Sequence, residues 1–342
     1  MKRVVSFGEL MLRLSPPGDE RLFQSPALRT FFGGSEANVA ASLAHFGVRS
    51  DYVTRIPEGP VGDAAVAALR AEGVGTRGIV RGGDRLGIYF VESGSDLRPM
   101  RVVYDRAGSA FSRADPAELD WERLLGGADW LHLSGITPAL GEGPAAAARE
   151  AVAAARALGV RTSVDLNYRP ALWTGRDPRP VARELVRGCS LLVGNPGAVA
   201  AMLGIDTAGA KPEPPEALRA TAERIEQELG CAAVALTRRE VISASEHGWS
   251  AVLHDRRSGE LHESRRWQVR VVDRVGGGDS FVAALVHALL SGRPGGDALG
   301  FATAASALKL TIPGDFNRVT ADEVERVLQS TPSRPSRPEA KP

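Results

Sequence analysis

A chain of 342 residues with 43% hydrophobic and 24% charged side chains can bury one large core, and its net charge of +1 gives no field to draw it to nucleic acid or an anionic membrane. Cys189 and Cys231 form no CxxC pair and have no histidine at zinc-ligand spacing, so they read as buried thiols of a reducing compartment. The N-terminal apolar run stops at Gly8-Glu9 without a cleavage site, and no apolar stretch reaches the roughly 18 residues that span a bilayer, which predicts a cytoplasmic protein without a membrane segment.

In chain order, Val4–Gly8 reads as a buried strand. Val39–Phe46 reads as part of a helix and Ser50–Thr54 as a strand. Trp130–Leu133 is a strand, Ala145–Leu158 an alanine-rich helix, and Arg161–Leu166 and Leu191–Val193 further strands. A helix over Glu216–Leu229 precedes a strand over Ala232–Leu236. Steady alternation of the two predicts an α/β fold: a parallel sheet covered by helices on both faces, with ligands at the strand C-termini. Two stretches break the rhythm. Met11–Ser15 with Thr30–Phe32, and Leu86–Val91 with Arg101–Tyr104 across a turn at Gly94-Ser95-Asp96, alternate as half-buried strands do. They predict a small sheet projecting from the main body, placed to act as a lid. Val241–Glu246, Trp249–Leu253 and Trp267–Val272 predict a second meander. Helices follow over Phe281–Ser291, Asp297–Leu310 and Ala321–Gln329, and the Pro-rich stretch 331–342 is expected to be disordered.

Two segments carry chemistry. In Asp273-Arg274-Val275-Gly276-Gly277-Gly278-Asp279, three glycines are predicted to end a strand and open a helix. Backbone N–H groups there can converge on an anion, aided by the helix dipole, with Asp279 placed to accept a hydroxyl proton. A loose phosphoryl-transfer transition state requires no raised pKa for that role. Taken alone, the segment fits a tight turn with Asp279 as helix N-cap equally well. Gly33-Gly34-Ser35-Glu36-Ala37-Asn38 forms a second glycine–helix junction, with the Asn38 amide one turn in; alone it is an ordinary helix start. Neither a GxxxxGK[ST] loop nor a GxGxxG after the first strand occurs, which disfavours P-loop and dinucleotide-binding proteins.

These two junctions together resemble the signatures of the ribokinase-like (PfkB) sugar kinases. Phe7–Leu14, Leu86–Phe90, Val103–Arg106, Gly135–Leu140, Asp165–Arg169 and Pro313–Asn317 look like the 2-dehydro-3-deoxygluconate kinase branch, so the resemblance covers nearly the whole chain. It implies a three-layer α/β/α sandwich with a small β-sheet lid: one kinase domain over 1–330, with lid segments at about 10–33 and 84–108. It implies ATP and Mg²⁺ as cofactors and a sugar acid as substrate, phosphorylated at its terminal hydroxyl. Asp279 would be the base and Gly276, Gly277 and Gly278 the anion hole. Gly34, Asn38, Tyr89, Tyr104, Arg106 and Arg169 would contact the sugar, with Asp315 at the far rim. Asn167, Asn195, Thr237 and Arg238 would lie near ATP, as would Gly276 and Gly278. Guanidinium groups at Arg106 and Arg169 suit a carboxylate better than a neutral hexose, although either arginine alone is more often a surface ion-pair partner.

The family's usual Asn-x-x-Glu, which helps organise hydrated Mg²⁺, reads Asn195-Pro196-Gly197-Ala198 here, so no metal ligand is assigned and weaker Mg²⁺ use or a lower rate is expected. Arg274 stands where threonine is commoner, which leaves a monovalent-cation site in doubt. The resemblance makes a homo-oligomer joined through the lids plausible. A fructokinase- or ribokinase-like enzyme of the same fold, or a sugar-binding regulator without turnover, are the competing readings.

Overall fold

The computed structural model describes residues 1–207 and 214–330; the tail expected at 331–342 lies outside them. The chain begins β1 (Arg3–Phe7), β2 (Met11–Ser15), β3 (Arg29–Gly33), α1 (Ser35–His45), β4 (Arg49–Ile56), α2 (Pro60–Ala71) and β5 (Gly75–Arg81). It continues with β6 (Gly87–Glu92), β7 (Arg101–Asp105), α3 (Trp121–Leu125), β8 (Trp130–Ser134), α4 (Glu142–Ala157), β9 (Arg161–Asp165), α5 (Arg179–Val186) and β10 (Leu191–Gly194). The last third holds α6 (Pro196–Leu203), α7 (Pro215–Leu229), β11 (Ala233–Ser243), β12 (Glu246–Asp255), β13 (Glu260–Glu263) and β14 (Trp267–Arg270). Helices α8 (Gly277–Leu290), α9 (Gly295–Lys309) and α10 (Ala321–Gln329) close the described chain.

The large sheet runs β13-β12-β11-β10-β9-β8-β1-β4-β5, with β14 pairing β12. From β5 to β11 its neighbours are parallel. Central strands of such a sheet are covered on both faces and so read as continuous apolar runs. β8 shows this, with every residue from Trp130 to Ser134 buried. Leu131 and Leu133 each contribute about 1.5–3 kcal/mol of burial. Odd residues of β1 and β4 (Val5, Phe7, Val53) face a core shared with α3, α4, α5, α6 and α7. Even residues face the other layer, where Val4 packs with α1, α8, α9 and α10, and Tyr52 with α1 and α2. The result is a three-layer sandwich. Helix α4 lies close on the sheet because its buried stripe is Ala147, Ala148, Ala151, Val152 and Ala155.

The meander expected at Val241–Glu246 is organised differently. β11 runs unbroken to Ser243, and Glu246 begins β12 after a two-residue turn. β12, β13 and β14 are antiparallel extensions of the large sheet, so the sheet is mixed rather than parallel throughout. β11 keeps its ladder with β12 through Ser243 although its residues beyond Leu236 are mostly exposed, so the pairing carries the strand past the point where the apolar run ends.

The four strands read as a projecting sheet do form one, in the order β3-β2-β6-β7. β2 pairs antiparallel with β3 and parallel with β6, and β6 pairs antiparallel with β7. This sheet joins the body through a buried charge. Arg13, in the middle of β2, is 2% exposed. Its Nη2 lies 2.7 Å from Asp273 Oδ2, and its Nη1 donates to Asp315 Oδ2 at 3.0 Å. Its Nε donates to Ser15 Oγ. Among the described residues no helix is long and apolar enough to cross a membrane.

Breaking a buried ion cluster by removing one partner leaves uncompensated charge inside. Arg13→Met is therefore expected to lower the unfolding free energy by about 3–5 kcal/mol in a denaturant titration. A loss under about 1 kcal/mol would mean that the two carboxylates bury themselves without it.

Candidate active site

In the parallel part of the sheet the strand order reverses at β1, which lies between β4 and β8. Crevices for ligands open at such switch points, beyond the strand C-termini. Here the loops after β1, β8 and β9 converge with the N-terminal ends of α1 and α8. Glu36, in the first turn of α1, is fully inside and accepts from Ser134 N at 3.0 Å, Ser134 Oγ at 2.6 Å and Thr137 Oγ1 at 2.8 Å. Burial raises its pKa. These bonds tie α1 to the end of β8.

Helix α8 begins at the glycine run. The strand before it ends at Arg270, six residues earlier than Gly276, so a loop rather than a strand leads in. Gly276 is the N-cap, with φ 80°, and a Cβ there would lie 2.2 Å from the Asp315 carbonyl oxygen. Only glycine meets both conditions. No side chain caps the helix, and neither Gly278 N–H nor Asp279 N–H has a hydrogen-bond partner among the described residues. Gly278 has open space beside its Cα. Unpaired donors at a helix N-terminus are the elements of an anion site.

Asp279 is the third residue of the helix and not its N-cap. Its side chain is clamped from α1: Ser35 Oγ donates to Oδ1 at 2.9 Å, and Asn38 Nδ2 donates to Oδ2 at 2.7 Å. Asn167 Nδ2 donates to Ser35 Oγ at 2.7 Å and extends the network to the end of β9. The sequence argument needed no shift at Asp279, but burial imposes one. The carboxyl is raised above its ordinary range, opposed by the bonds from Asn38 and Ser35 and by the charge of Arg169. The Asn38 amide, expected to face sugar hydroxyls, is spent on Asp279 in this structure.

A cavity of about 360 Å³ lies between β7 and the loop after β9, lined by Tyr104–Ala107 and Arg169–Leu172. Tyr104, Arg106 and Arg169 thus line the same cavity, the first two from β7 and its end and the third from the loop after β9. Their electrostatics differ. Arg106 is buried and gives its Nε to Glu9 Oε2 at 2.8 Å, with a second bond from Nη2 to the same oxygen. Its charge is already neutralised. Arg169 is exposed and makes no salt bridge among the described residues. Tyr104 stacks on Tyr89 at 5.9 Å. Tyr89 itself is buried and donates its hydroxyl to Asp315. Asp315 is 2% exposed and paired with Arg13, so it lies in the interior and not at a rim.

Gly34, expected at the sugar, is the N-cap of α1, where a Cβ would lie 2.0 Å from the Glu9 carbonyl oxygen. The residues expected near ATP are less tightly gathered. Asn195 caps α6, accepting from Ala198 N at 3.0 Å, and Ala198 is buried. Thr237 Oγ1 donates to the Gly194 carbonyl at 3.2 Å. Arg238 pairs with Glu263 on β13. On β11 the even residues Val234 and Leu236 face the α4–α7 layer, and Ala235 faces the layer of α8. Alternation therefore turns Arg238 away from Asp279 and its neighbour Arg239 toward it. Burial, and after it the charge of Arg169, lowers the pKa of Arg239, and burial followed by the charges of Arg239 and Arg169 lowers that of Arg274; none of the three has an acidic partner within 4.0 Å among the described residues. Three arginines left without carboxylates beside an uncapped helix end suit a polyanion.

Among the described residues no group of three His, Cys, Asp or Glu side chains could hold a metal ion. The donor set does not fit a protein-held Mg²⁺.

Asp165, at the end of β9, escaped the sequence argument except as part of a motif. Burial and the neighbouring Asp279 push its carboxyl up to about 7. Between about pH 4 and pH 7 the folded protein keeps a proton there that the unfolded chain has lost, so stability contributed by this group falls as pH rises through that window. Asp165→Asn is expected to be neutral near pH 4 and stabilising above pH 7, on the order of a few kcal/mol. Melting curves across the range test it, and a difference that does not grow with pH would mean that Asp165 is ionised throughout.

Comparison with known proteins agrees with this fold. The profile of the pfkB family of carbohydrate kinases matches residues 1–320. A 2-dehydro-3-deoxygalactonokinase of Haloferax volcanii is 35% identical over 95% of this chain and 96% of its own. A 2-dehydro-3-deoxygluconokinase of Thermoproteus tenax is 29% identical over 96% of this chain and 95% of its own. The crystal structure of a 2-dehydro-3-deoxygluconokinase of Thermotoga maritima superposes with a TM-score of 0.93 at 43% identity, covering 96% of this chain and 100% of that one. With the fold and an uncapped glycine–helix junction already in place, these matches make the chain a member of the pfkB family of carbohydrate kinases, a sugar kinase.

Proposed function

We propose that this kinase transfers the γ-phosphoryl group of ATP to the terminal hydroxyl of 2-dehydro-3-deoxy-D-gluconate, with Asp279 as base. The observation that carries the reading is the clamp on Asp279, a buried carboxylate aimed by Ser35 and Asn38 beside two unpaired amides. The substrate O–H donates to an Asp279 oxygen, and its proton passes to that carboxylate as the new O–P bond forms. The bond from the γ-phosphorus to the bridging β-phosphate oxygen breaks, and ADP leaves. The N–H groups of Gly278 and Asp279 face the charge that gathers on the transferred group. Burial raises this carboxyl, and the bonds from Asn38 and Ser35 favour its charged form, the form that accepts the hydroxyl proton.

Arg169 takes the sugar carboxylate in this reading, with Tyr104 against the carbon chain and Arg106 held by Glu9 as a wall. Arg239 and Arg274 serve the polyphosphate of ATP, in place of Arg238. Any Mg²⁺ would come with the nucleotide rather than from a site on the protein, and would supply charge neutralisation to its phosphates. The β3-β2-β6-β7 sheet closes over the sugar and excludes water. The galactonate epimer is a second substrate reading, supported by the 35% identical relative of that name. Association through the lid sheets remains part of the proposal.

A sugar panel read by ADP release tests the assignment: turnover is expected on the keto-deoxy acids and not on ribose or fructose. Turnover confined to neutral sugars would overturn it. Asp279→Asn is expected to lower kcat at least about a hundredfold with sugar affinity retained, and a near-normal rate would remove Asp279 from the chemistry. Arg169→Ala is expected to raise KM for the acid by about tenfold or more while ATP KM changes little. Equal losses toward acid and neutral sugars would leave Arg169 without a carboxylate to bind.

A further inference from the structure

Behind the glycine turn lies a charged group that the mechanism above does not use. Lys309, the last residue of α9, is 0% exposed. Its Nζ donates to the carbonyl oxygens of Gly314 at 2.8 Å and Ile312 at 3.1 Å. Its stem passes directly beneath the turn, since a Cβ on Gly276 would lie 3.1 Å from Lys309 Cε. The same end of α9 holds the turn in two further places. Ser306 Oγ donates to the Gly277 carbonyl at 2.7 Å, and the N–H groups of Val272 and Asp273 donate to the Leu310 carbonyl.

The charges around it balance. Arg13 and Lys309 supply two positive charges, and Asp273 and Asp315 two negative ones, all of them buried. Arg13 contacts both carboxylates directly, and Lys309 feels Asp273, Asp315 and Asp279 over a longer range. Burial presses the Lys309 ammonium down from its ordinary value, and those carboxylates hold it up. Without it the cluster behind the turn would carry a net negative charge, facing the place where phosphate must gather more.

We propose that Lys309 is a positioning residue for phosphoryl transfer: a built-in cation beneath the anion turn that draws the Ile312 and Gly314 carbonyls away from it and neutralises Asp273 and Asp315. An ammonium among backbone carbonyl oxygens occupies surroundings that a potassium or free ammonium ion could also fill. The enzyme therefore needs no added monovalent cation, and removing the side chain creates a need for one. The role in turnover rests on the kinase reading; the placement of the charge does not.

Three proteins test this. Wild-type turnover and melting temperature are expected to change by less than about twofold and about 1 °C when potassium is replaced by tetramethylammonium at constant ionic strength. Lys309→Met, close in volume but neutral, is expected to lose at least about tenfold in kcat with sugar KM within about threefold, with no recovery in any salt. Lys309→Ala leaves the space open, so ammonium or potassium at about 100 mM should recover at least about fivefold in kcat and raise its melting temperature, and tetramethylammonium should do neither. Wild-type kcat in Lys309→Met, or strong potassium activation of the wild type, would overturn the proposal. Should Lys309→Ala not fold, those two measurements still decide it. A wild type inactive on every sugar would instead sink the kinase reading, while the ion-specific melting shift of Lys309→Ala would still report on the charge.

Discussion

Arg13 lies buried between Asp273 and Asp315, and this contact sets where the smaller sheet meets the larger body. Its worth is geometric more than energetic. Desolvating a guanidinium and two carboxylates offsets much of their attraction, so an apolar trio of similar volume could be as stable. An apolar trio would not, however, fix position. A planar guanidinium with its donors committed to Asp273, Asp315 and Ser15 admits one placement of β2 relative to the loops on either side of α8 and α9. Asp273 also accepts from Val275 N and Gly314 N, so the loop into α8 and the loop out of α9 are pinned by the same carboxylate.

From that joint the remaining site geometry follows. With Asp273 fixed, Gly276 must turn with positive φ against the Asp315 carbonyl, and α8 starts with its amides facing outward. With Asp315 fixed, Tyr89 is drawn down onto it, and Tyr104 stacks above Tyr89 at the mouth of the cavity. The Tyr89–Tyr104 wall of the cavity and the glycine turn are therefore supported from one buried cluster, although one belongs to the smaller sheet and the other opens α8.

The layered fold was legible because parallel strands buried on both faces, such as Trp130–Ser134, leave continuous apolar runs, and the smaller sheet leaves alternating ones. The glycine junctions were legible because positive φ and close backbone approach tolerate almost nothing else. Other features depend on information that no local pattern holds. Choosing between Arg238 and Arg239 requires knowing which face of β11 meets α8, and that parity is set by tertiary packing rather than by any local pattern. The neutralised state of Arg106 depends on Glu9, 97 positions earlier. Asp165 and Lys309 look like an ordinary strand end and an ordinary helix C-terminal lysine, and only burial gives them unusual chemistry. The strand boundary at Val241 was misplaced because β11 continues into a polar stretch that is ordered by its partner β12.

The clamp on Asp279 also bears on how this molecule comes into being. Asn38 and Asp279 are 241 positions apart, and Arg13 and Asp315 are 302 apart. During synthesis, the N-terminal part of the site leaves the ribosome long before its C-terminal counterpart exists. Until about the last fifth of the polypeptide emerges, Arg13 lacks Asp273 and Asn38 lacks Asp279, and Arg13 gains Asp315 only within about the last tenth. Contacts of such long sequence separation form late and slowly. A nascent or truncated chain therefore has no assembled catalytic centre, and the ability to act on a phosphoryl donor is acquired only at the final stage of folding.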